Sequence, residues 1–228
     1  MYRKYFKRPF DVFCALSAIA VFWWLYIIVA VLVRIKLGSP VIFKQERPGL
    51  NEKIFTLYKF RTMTDAKDEN GNLLPDNIRL TEFGKLLRST SLDELPEVWN
   101  ILKGDMSVIG PRPLLVRDMV FMTPEQRMRH SVRPGLSGLA QVRGRNIISW
   151  ESKLEADLQY IQLITFCKDI RIILKTVKKM VHREGISAEG METAEDFGDY
   201  LLRVGMIDES TYTNEQCTAK RLLLIGKK

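Results

Sequence analysis

The 228-residue chain has only three cysteines, Cys14, Cys167 and Cys217, far apart and without C-x-x-C spacing. Neither a disulfide framework nor a zinc knuckle is indicated by that pattern, and a reducing compartment fits. Histidine is scarcer still, with only His130 and His182, so a His-rich metal centre or an ordinary Ser-His-Asp triad has little to draw on. His130 reads as an exposed helix residue rather than a ligand. Internal repeats and low-complexity tracts are absent. Proline is missing between Pro9 and Pro40, so nothing there forces a helix to break. Acidic residues are also short. The 27 Asp and Glu against 35 Lys and Arg leave a net charge of +8, which suits nucleic acid, anionic lipid headgroups or a nucleotide-sugar. Chemistry in this chain falls to carboxylates and arginines.

What is present begins with grease. Residues 1–8 are basic and aromatic, and from Pro9 to Val33 the chain is almost uninterruptedly apolar, with Asp11 its only charge. About 20 such residues cross a bilayer, and the run is too long and lacks the cleavage site of a signal peptide. It reads as a retained anchor, and it turns the choice of partner towards lipid and away from nucleic acid. Arg3, Lys4, Lys7 and Arg8 flank one end and Arg34 and Lys36 the other. A crossing helix keeps its basic residues on one side. Residues 1–36 are therefore expected to enter and leave the membrane by the same cytoplasmic face.

Downstream, residues 41–63 read as two short strands around the turn at 47–51. Alternation places Phe55, Leu57 and Lys59 on one face, with Lys59 and Arg61 near an edge and able to point towards acids. Residues 64–78 carry Asn-Gly and Pro-Asp turn signals and read as a surface loop. Leu80, Phe83, Leu86 and Leu87 recur at helical spacing over 79–88. Arg88, at the end of that helix, either caps carbonyls or meets a phosphate. Residues 114–131 read as a helix, a Thr-Pro restart and a short basic helix. The Gly- and Pro-rich run 132–146 predicts a tight loop in which Gly144, beside Arg143 and Arg145, lets backbone approach a nucleotide. Residues 150–183 hold a long helical pattern, basic in its second half, as on an anionic membrane surface or at a favourable dipole end. The tail 184–228 starts Gly-rich and acidic and ends basic and apolar, its Leu-rich end suited to docking on the domain or touching membrane.

The densest chemistry lies between Arg88 and Pro113, RSTSLDELPEVWNILKGDMSVIGPRP. Pro96 belongs in the first turn of a helix, which puts the start near Asp93 or Glu94, where free N–H groups favour an ionised carboxylate. Ser91 with Glu94 offers a competing capping-box start. An ionised Asp is a competent nucleophile, and Pro111-Arg112-Pro113 presents one guanidinium on a stiffened backbone, ready for a carboxylate or phosphate.

With YKFRTM at 58–63 before that stretch and VRPGLSGLAQVRGRN at 132–146 after it, residues 1–180 resemble the bacterial sugar transferases, the monotopic phosphoglycosyl transferases. The resemblance implies transfer of a phosphosugar from a UDP-sugar to a polyprenyl phosphate, with release of UMP. It implies Asp93 as nucleophile and Glu94 as a metal ligand or proton carrier, with Mg²⁺ held by Asp93 and Glu94. Lys59, Arg61, Arg88 and Arg112 would hold phosphates, and Gly144, Arg145, Asp157 and Asp169 the nucleotide-sugar. The family's anchor is usually broken by a Ser-Pro pair, whereas here Ala18 follows Ser17. The expected fold is mainly α with a small β-hairpin. A re-entrant membrane helix (1–36) and amphipathic interfacial helices surround a compact cytoplasmic catalytic domain (37–183), followed by an extension (184–228). The implied setting is the bacterial inner membrane, with downstream glycosyltransferases as further contacts. A basic, membrane-anchored scaffold without catalysis is one rival, and a metal-dependent lipid phosphatase or nuclease is the other.

Overall fold

The computed structural model describes residues 1–144, 148–182 and 195–226. Arg145, Arg183 and the start of the tail at 184–194, for which expectations are stated above, lie outside these residues. With no proline to stop it, the apolar run forms one helix, α1 (Lys7–Lys36), led in by a π-helical turn at Tyr2–Phe6. Ser17 causes no break. One side of α1 is buried at Lys7, Asp11, Ala15, Val29 and Val33, a helical spacing, and the opposite side exposes Phe13, Leu16, Trp24, Ile27 and Val31. Phe22 falls seven residues from both Ala15 and Val29, on the inward side, yet it is 42% exposed, as are all its neighbours from Ala20 to Trp24 to varying degrees. The helix therefore leaves the protein at its middle and is held at both halves.

The hairpin forms as expected. β1 (Ile42–Pro48) pairs antiparallel with β2 (Ile54–Phe60), Ile42 opposite Phe60 and Pro48 opposite Ile54. Alternation in β2 buries Phe55 and Leu57, against which Ala15, Val98, Ile101 and Met106 pack. The expected helix over 79–88 is two pieces, α2 (Asp76–Arg79) and α3 (Glu82–Ser89), because Thr81 accepts from the Gly84 N–H and caps a fresh start. Leu87 of α3 joins Phe60, Val29 and Val33 in a second cluster. Then α4 (Glu97–Lys103) crosses the hairpin, where the fully buried Asn100 donates to Thr56 O and accepts from the Tyr58 N–H.

A second small sheet escaped the sequence. β3 (Ser107–Ile109) runs parallel to the strand Gly135–Ser137, β4, and their meeting is made of glycine: a Cβ on Gly135 would lie 2.0 Å from Gly110 N. Such strands bury backbone rather than alternating side chains, so no period-two pattern announces them. Between them lie α5 (Val116–Met119) and α6 (Pro124–Arg127), the latter capped by Thr123 at the expected Thr-Pro restart, and a 3₁₀ turn at Met128–Ser131. His130 in that turn is buried, not exposed, because the turn packs onto the domain; burial and the adjacent Arg129 charge push its pKa down to about 4.

After α7 (Leu139–Arg143), the expected long helix is two, α8 (Trp150–Gln162) and α9 (Phe166–His182), split where the Thr165 hydroxyl accepts from the Lys168 N–H. The tail docks on the domain. In α10 (Phe197–Arg203) Phe197 and Leu201 pack with Met122, Trp150 and Leu154, and in α11 (Glu209–Ile225) Ala219, Leu222 and Leu223 pack with Val116 and Met119.

The glycine contact gives a stability test. Gly135→Ala has no room against Gly110 backbone and should cost about 4 kcal/mol or more. Gly71→Ala, with open space around it, should cost only the ~1 kcal/mol of its left-handed backbone. Urea unfolding of the two variants checks the difference.

Candidate active site

Asp93 and Glu94 lie in a 3₁₀ turn, Leu92–Glu94, that runs into α4 with Pro96 just ahead of Glu97. The proline does mark a helix start, but one turn later than Asp93. Ser91 is left-handed, at φ 56°, and caps nothing, so the capping-box alternative falls away. Glu94 owes its ionisation to ion pairs rather than to a helix end. Its Oε1 accepts from Lys59 Nζ at 2.8 Å and from Arg112 Nη2 at 2.8 Å. Lys59 extends from β2 and also reaches Glu97 Oε1 at 3.0 Å.

The three carboxyls are thereby set apart. Burial alone would raise Glu94, but the charges and hydrogen bonds of Lys59 and Arg112 outweigh it and hold Glu94 well below the usual range. Asp93 is only 8% exposed, and burial together with the Glu94 charge pushes it up to about 6 against the pull of Lys59, Arg112 and Arg88. Glu97 is buried deeper, and desolvation with the Glu94 charge raises it to about 7 despite Lys59. Glu94 is thus the fixed anion that gathers the cations, and Asp93 and Glu97 are the acids whose charge they leave under-compensated, Asp93 being the more exposed of the two. The sequence reading missed Glu97, although its place three residues after Glu94 on a helical course put it within reach of the same cation.

The remaining expected residues divide. Arg88, held by Nε to Thr62 Oγ1 at 3.1 Å, acts on Asp93 through its charge. Arg61 does not join the acids: its guanidinium is spent on Ser39 O, Met63 O and Asp65, since β2 ends at Phe60 and its alternation no longer sets the direction of the next side chain. Asp157 and Asp169, assigned to the nucleotide-sugar by resemblance, are committed to the interior instead. Asp169 is completely buried among Lys7 at 2.6 Å, Tyr2 and Tyr160. Asp157 accepts from Arg129 Nε and Nη2 at 3.0 and 2.7 Å, and the same Nη2 donates to Arg112 O at 2.6 Å. Arg129, unnoticed in the sequence, so fixes the backbone from which Arg112 reaches Glu94. Beside Gly144 the space for a Cβ is filled by Ile148 Cγ2 at 2.4 Å, so its glycine serves the chain's own packing.

Among the described residues no group of three or more His, Cys, Asp and Glu is arranged for a metal. Mg²⁺ needs fewer, since it commonly takes one or two carboxylates and completes its shell with water and substrate phosphate. With both cations bonded to one oxygen of Glu94, the Asp93 carboxyl and the rest of Glu94 are the hard donors such an ion would use.

Buried acids gathered under shared cations, with their pKa values pushed apart, are the arrangement of an enzyme site, and the domain around them carries a helix long and apolar enough to cross a membrane. A family model described as bacterial sugar transferase matches residues 2–183, and the chain belongs to that family. It is 50% identical over 191 residues to the uncharacterized sugar transferase EpsL of Bacillus subtilis, covering 84% of this chain and 95% of that one. Identity is 36% over 185 residues to a UDP-glucose:undecaprenyl-phosphate glucose-1-phosphate transferase of Caulobacter vibrioides, covering 77% of this chain and 69% of that one. The undecaprenyl-phosphate galactose phosphotransferase of Salmonella typhimurium is 33% identical over 205 residues, covering 80% of this chain but 42% of the longer protein.

The Arg129–Asp157 pair is testable by itself. Arg129→Leu strands a buried carboxylate and should cost roughly 3–5 kcal/mol in urea unfolding, whereas adding Asp157→Leu should recover most of that loss.

Proposed function

We propose that this chain moves a phosphosugar from a UDP-sugar to a polyprenyl phosphate at the cytoplasmic face of a bacterial inner membrane. One Asp93 oxygen attacks the sugar-linked phosphorus of the UDP-sugar; the bond from that phosphorus to the bridging oxygen breaks and UMP leaves with the electron pair. The polyprenyl phosphate oxygen then attacks the same phosphorus, its bond to Asp93 breaks, and a polyprenyl diphosphosugar departs with the carboxylate restored. Phosphoryl transfer needs positioning and charge neutralisation, and one anionic pocket serves both anionic substrates in turn. The observation that carries the assignment is the division of labour between adjacent acids: Glu94 holds Lys59 and Arg112 on one oxygen, while Asp93 keeps an under-compensated charge beside them. Arg112, Lys59 and Arg88 are the cations that would meet the phosphates. Mg²⁺, held by Asp93 and Glu94, would neutralise the diphosphate. The lipid product would pass to downstream glycosyltransferases. A scaffold without catalysis would gain nothing from burying three carboxyls together, since each buried charge costs stability.

Shallow insertion of α1 is supported by its contacts. Arg8 donates to Ile101 O and Leu102 O near one end, Val33 packs on Phe60 and Leu87 near the other, and the two sets belong to one domain. A domain that holds both ends of a helix keeps both ends on its own side of a bilayer. The freed stretch Ala20–Trp24 is then the deepest point, and the Trp24 indole donates to Val21 O there at 3.0 Å.

Incubated with UDP-sugar and no lipid acceptor, the protein should gain the mass of one phosphosugar on the Asp93 peptide, and Asp93→Asn should gain none; adduct at another residue, or on the Asn variant, overturns the assignment. Because an acid ionises as pH rises, adduct formation should climb about tenfold between pH 5 and 7 and level off above. The same raised pKa withdraws stability as pH climbs from about 4 through 6, so Asp93→Asn should melt a few degrees higher than the parent at pH 8 and no higher at pH 4.

Chelation of divalent cations should stop UMP release and added Mg²⁺ should restore it, as measured by UMP appearance. Full release in excess chelator overturns the metal assignment alone.

A further inference from the structure

Away from the acid cluster, the first turns of α1 and the start of α9 enclose a groove of about 520 Å³ lined by Tyr2, Phe6, Pro9, Phe10, Phe13 and Phe166. Its walls are set in advance. The Phe166 ring stands edge-on to Tyr2 at 5.7 Å and to Phe10 at 5.4 Å, and Tyr2 and Lys7 are both tied to the buried Asp169. The mouth is open, with Phe6 56%, Phe13 69% and Phe166 48% exposed. Aromatic surface of that extent facing water is costly, at about 25 cal/mol per Å², and marks an interaction site.

What covers it follows from the two helices that form it. The groove continues into the outer face of α1 at Leu16, Trp24, Ile27 and Val31. In α9 the buried face carries Asp169 and Ile172, a second face exposes Phe166, Leu174 and Val177, and a third carries Lys168, Arg171, Lys175 and Lys178; Leu163, just before the helix, is exposed as well. A helix with one face to protein, one apolar face and one cationic face lies at a lipid interface, the cations at the level of lipid phosphates. Lys4 adds positive charge on the α1 side.

We propose that this groove holds one acyl chain of an anionic membrane phospholipid, its phosphate met by the neighbouring cations, so that a resident lipid fixes how the domain sits on the leaflet. The occupant is a phospholipid rather than the polyprenyl substrate because of distance along α1. The acid cluster lies by Tyr26, whose hydroxyl donates to Leu95 O, and thirteen residues from Phe13 to Tyr26 span roughly 20 Å of helix. A substrate with its phosphate at Asp93 would begin its chain that far from the groove, whereas a phospholipid places its phosphate beside the groove's own cations and its acyl chain directly within it.

The proposal rests on the membrane reading of α1, and the experiment separates the two. Full-length protein is reconstituted with vesicles of phosphatidylcholine and phosphatidylglycerol containing a trace of phosphatidylglycerol with a diazirine in one acyl chain, floated, irradiated and mapped by peptide mass spectrometry. Adducts should concentrate several-fold on residues 2–13 and on Phe166 over residues 21–35. Phe6→Asp and, independently, Phe13→Asp should abolish that enrichment while flotation and circular dichroism are unchanged. Protein that stays in the aqueous fraction overturns the membrane reading and the groove with it. Floating protein labelled evenly along α1 overturns the groove alone, and so does displacement of the label by a polyprenyl phosphate but not by unlabelled phosphatidylglycerol.

Discussion

A single carboxylate oxygen, Oε1 of Glu94, takes hydrogen bonds from Lys59 and Arg112, and the rest of the site is arranged so that it can. The three residues come from a 3₁₀ turn, a strand and a proline-flanked loop, none of which fixes the others locally. Each is held from behind. Asn100 ties β2 to α4, Arg129 grips the Arg112 carbonyl while Asp157 holds Arg129, and Tyr26 of α1 donates to Leu95 O next to the acid pair. Buried ion pairs repay their desolvation only when geometry is good and further hydrogen bonds complete it, which is why so much of the interior serves this one oxygen.

The same arrangement leaves Asp93 strained in charge rather than in geometry. Its pKa rises because burial and Glu94 disfavour its ionised form more than Lys59, Arg112 and Arg88 favour it. A fold selected for stability alone would place an apolar or protonated group there; an ionisable one that costs stability near neutral pH belongs to a site with chemistry to do. Glu97, raised to about 7, completes the balance: when it carries a proton, the cations outnumber the ionised acids and the pocket favours an incoming anion.

How much of this was legible depended on the reach of each interaction. The acid pair, Pro96 and the Pro-Arg-Pro turn announce themselves because their chemistry is local, and Lys59 follows from strand alternation with Phe55 and Leu57. Arg61 misleads, because it lies just past the last residue of the strand whose period was used to aim it. Asp157 and Asp169 look like any acids in helical runs, since what fixes them, Arg129 and Lys7, sits 28 and 162 residues away. The parallel pair β3 and β4 is silent because glycines pack backbone on backbone. The apolar length of α1 is plain in the sequence, but its inner face is not: Ala15, Val29 and Val33 face protein and Leu16 and Ile27 do not, and hydrophobicity alone cannot separate protein from lipid.

That double allegiance of α1 ties the apolar helix to the acid site. Lys7 and Asp11 are buried charges in an otherwise greasy segment, and each has a specific partner in the domain, Asp169 for one and the Ser107 hydroxyl with the Val108 N–H for the other. Pulling the helix off the domain would part both charges from their partners, and breaking a buried pair in this way costs several kcal/mol. The anchor is therefore not a tether on which the domain swings. It is one wall of the core, and because Tyr26 on that wall donates to Leu95 O beside the turn holding Asp93 and Glu94, any depth that Ala20–Trp24 took in a lipid leaflet would be passed on to the acids.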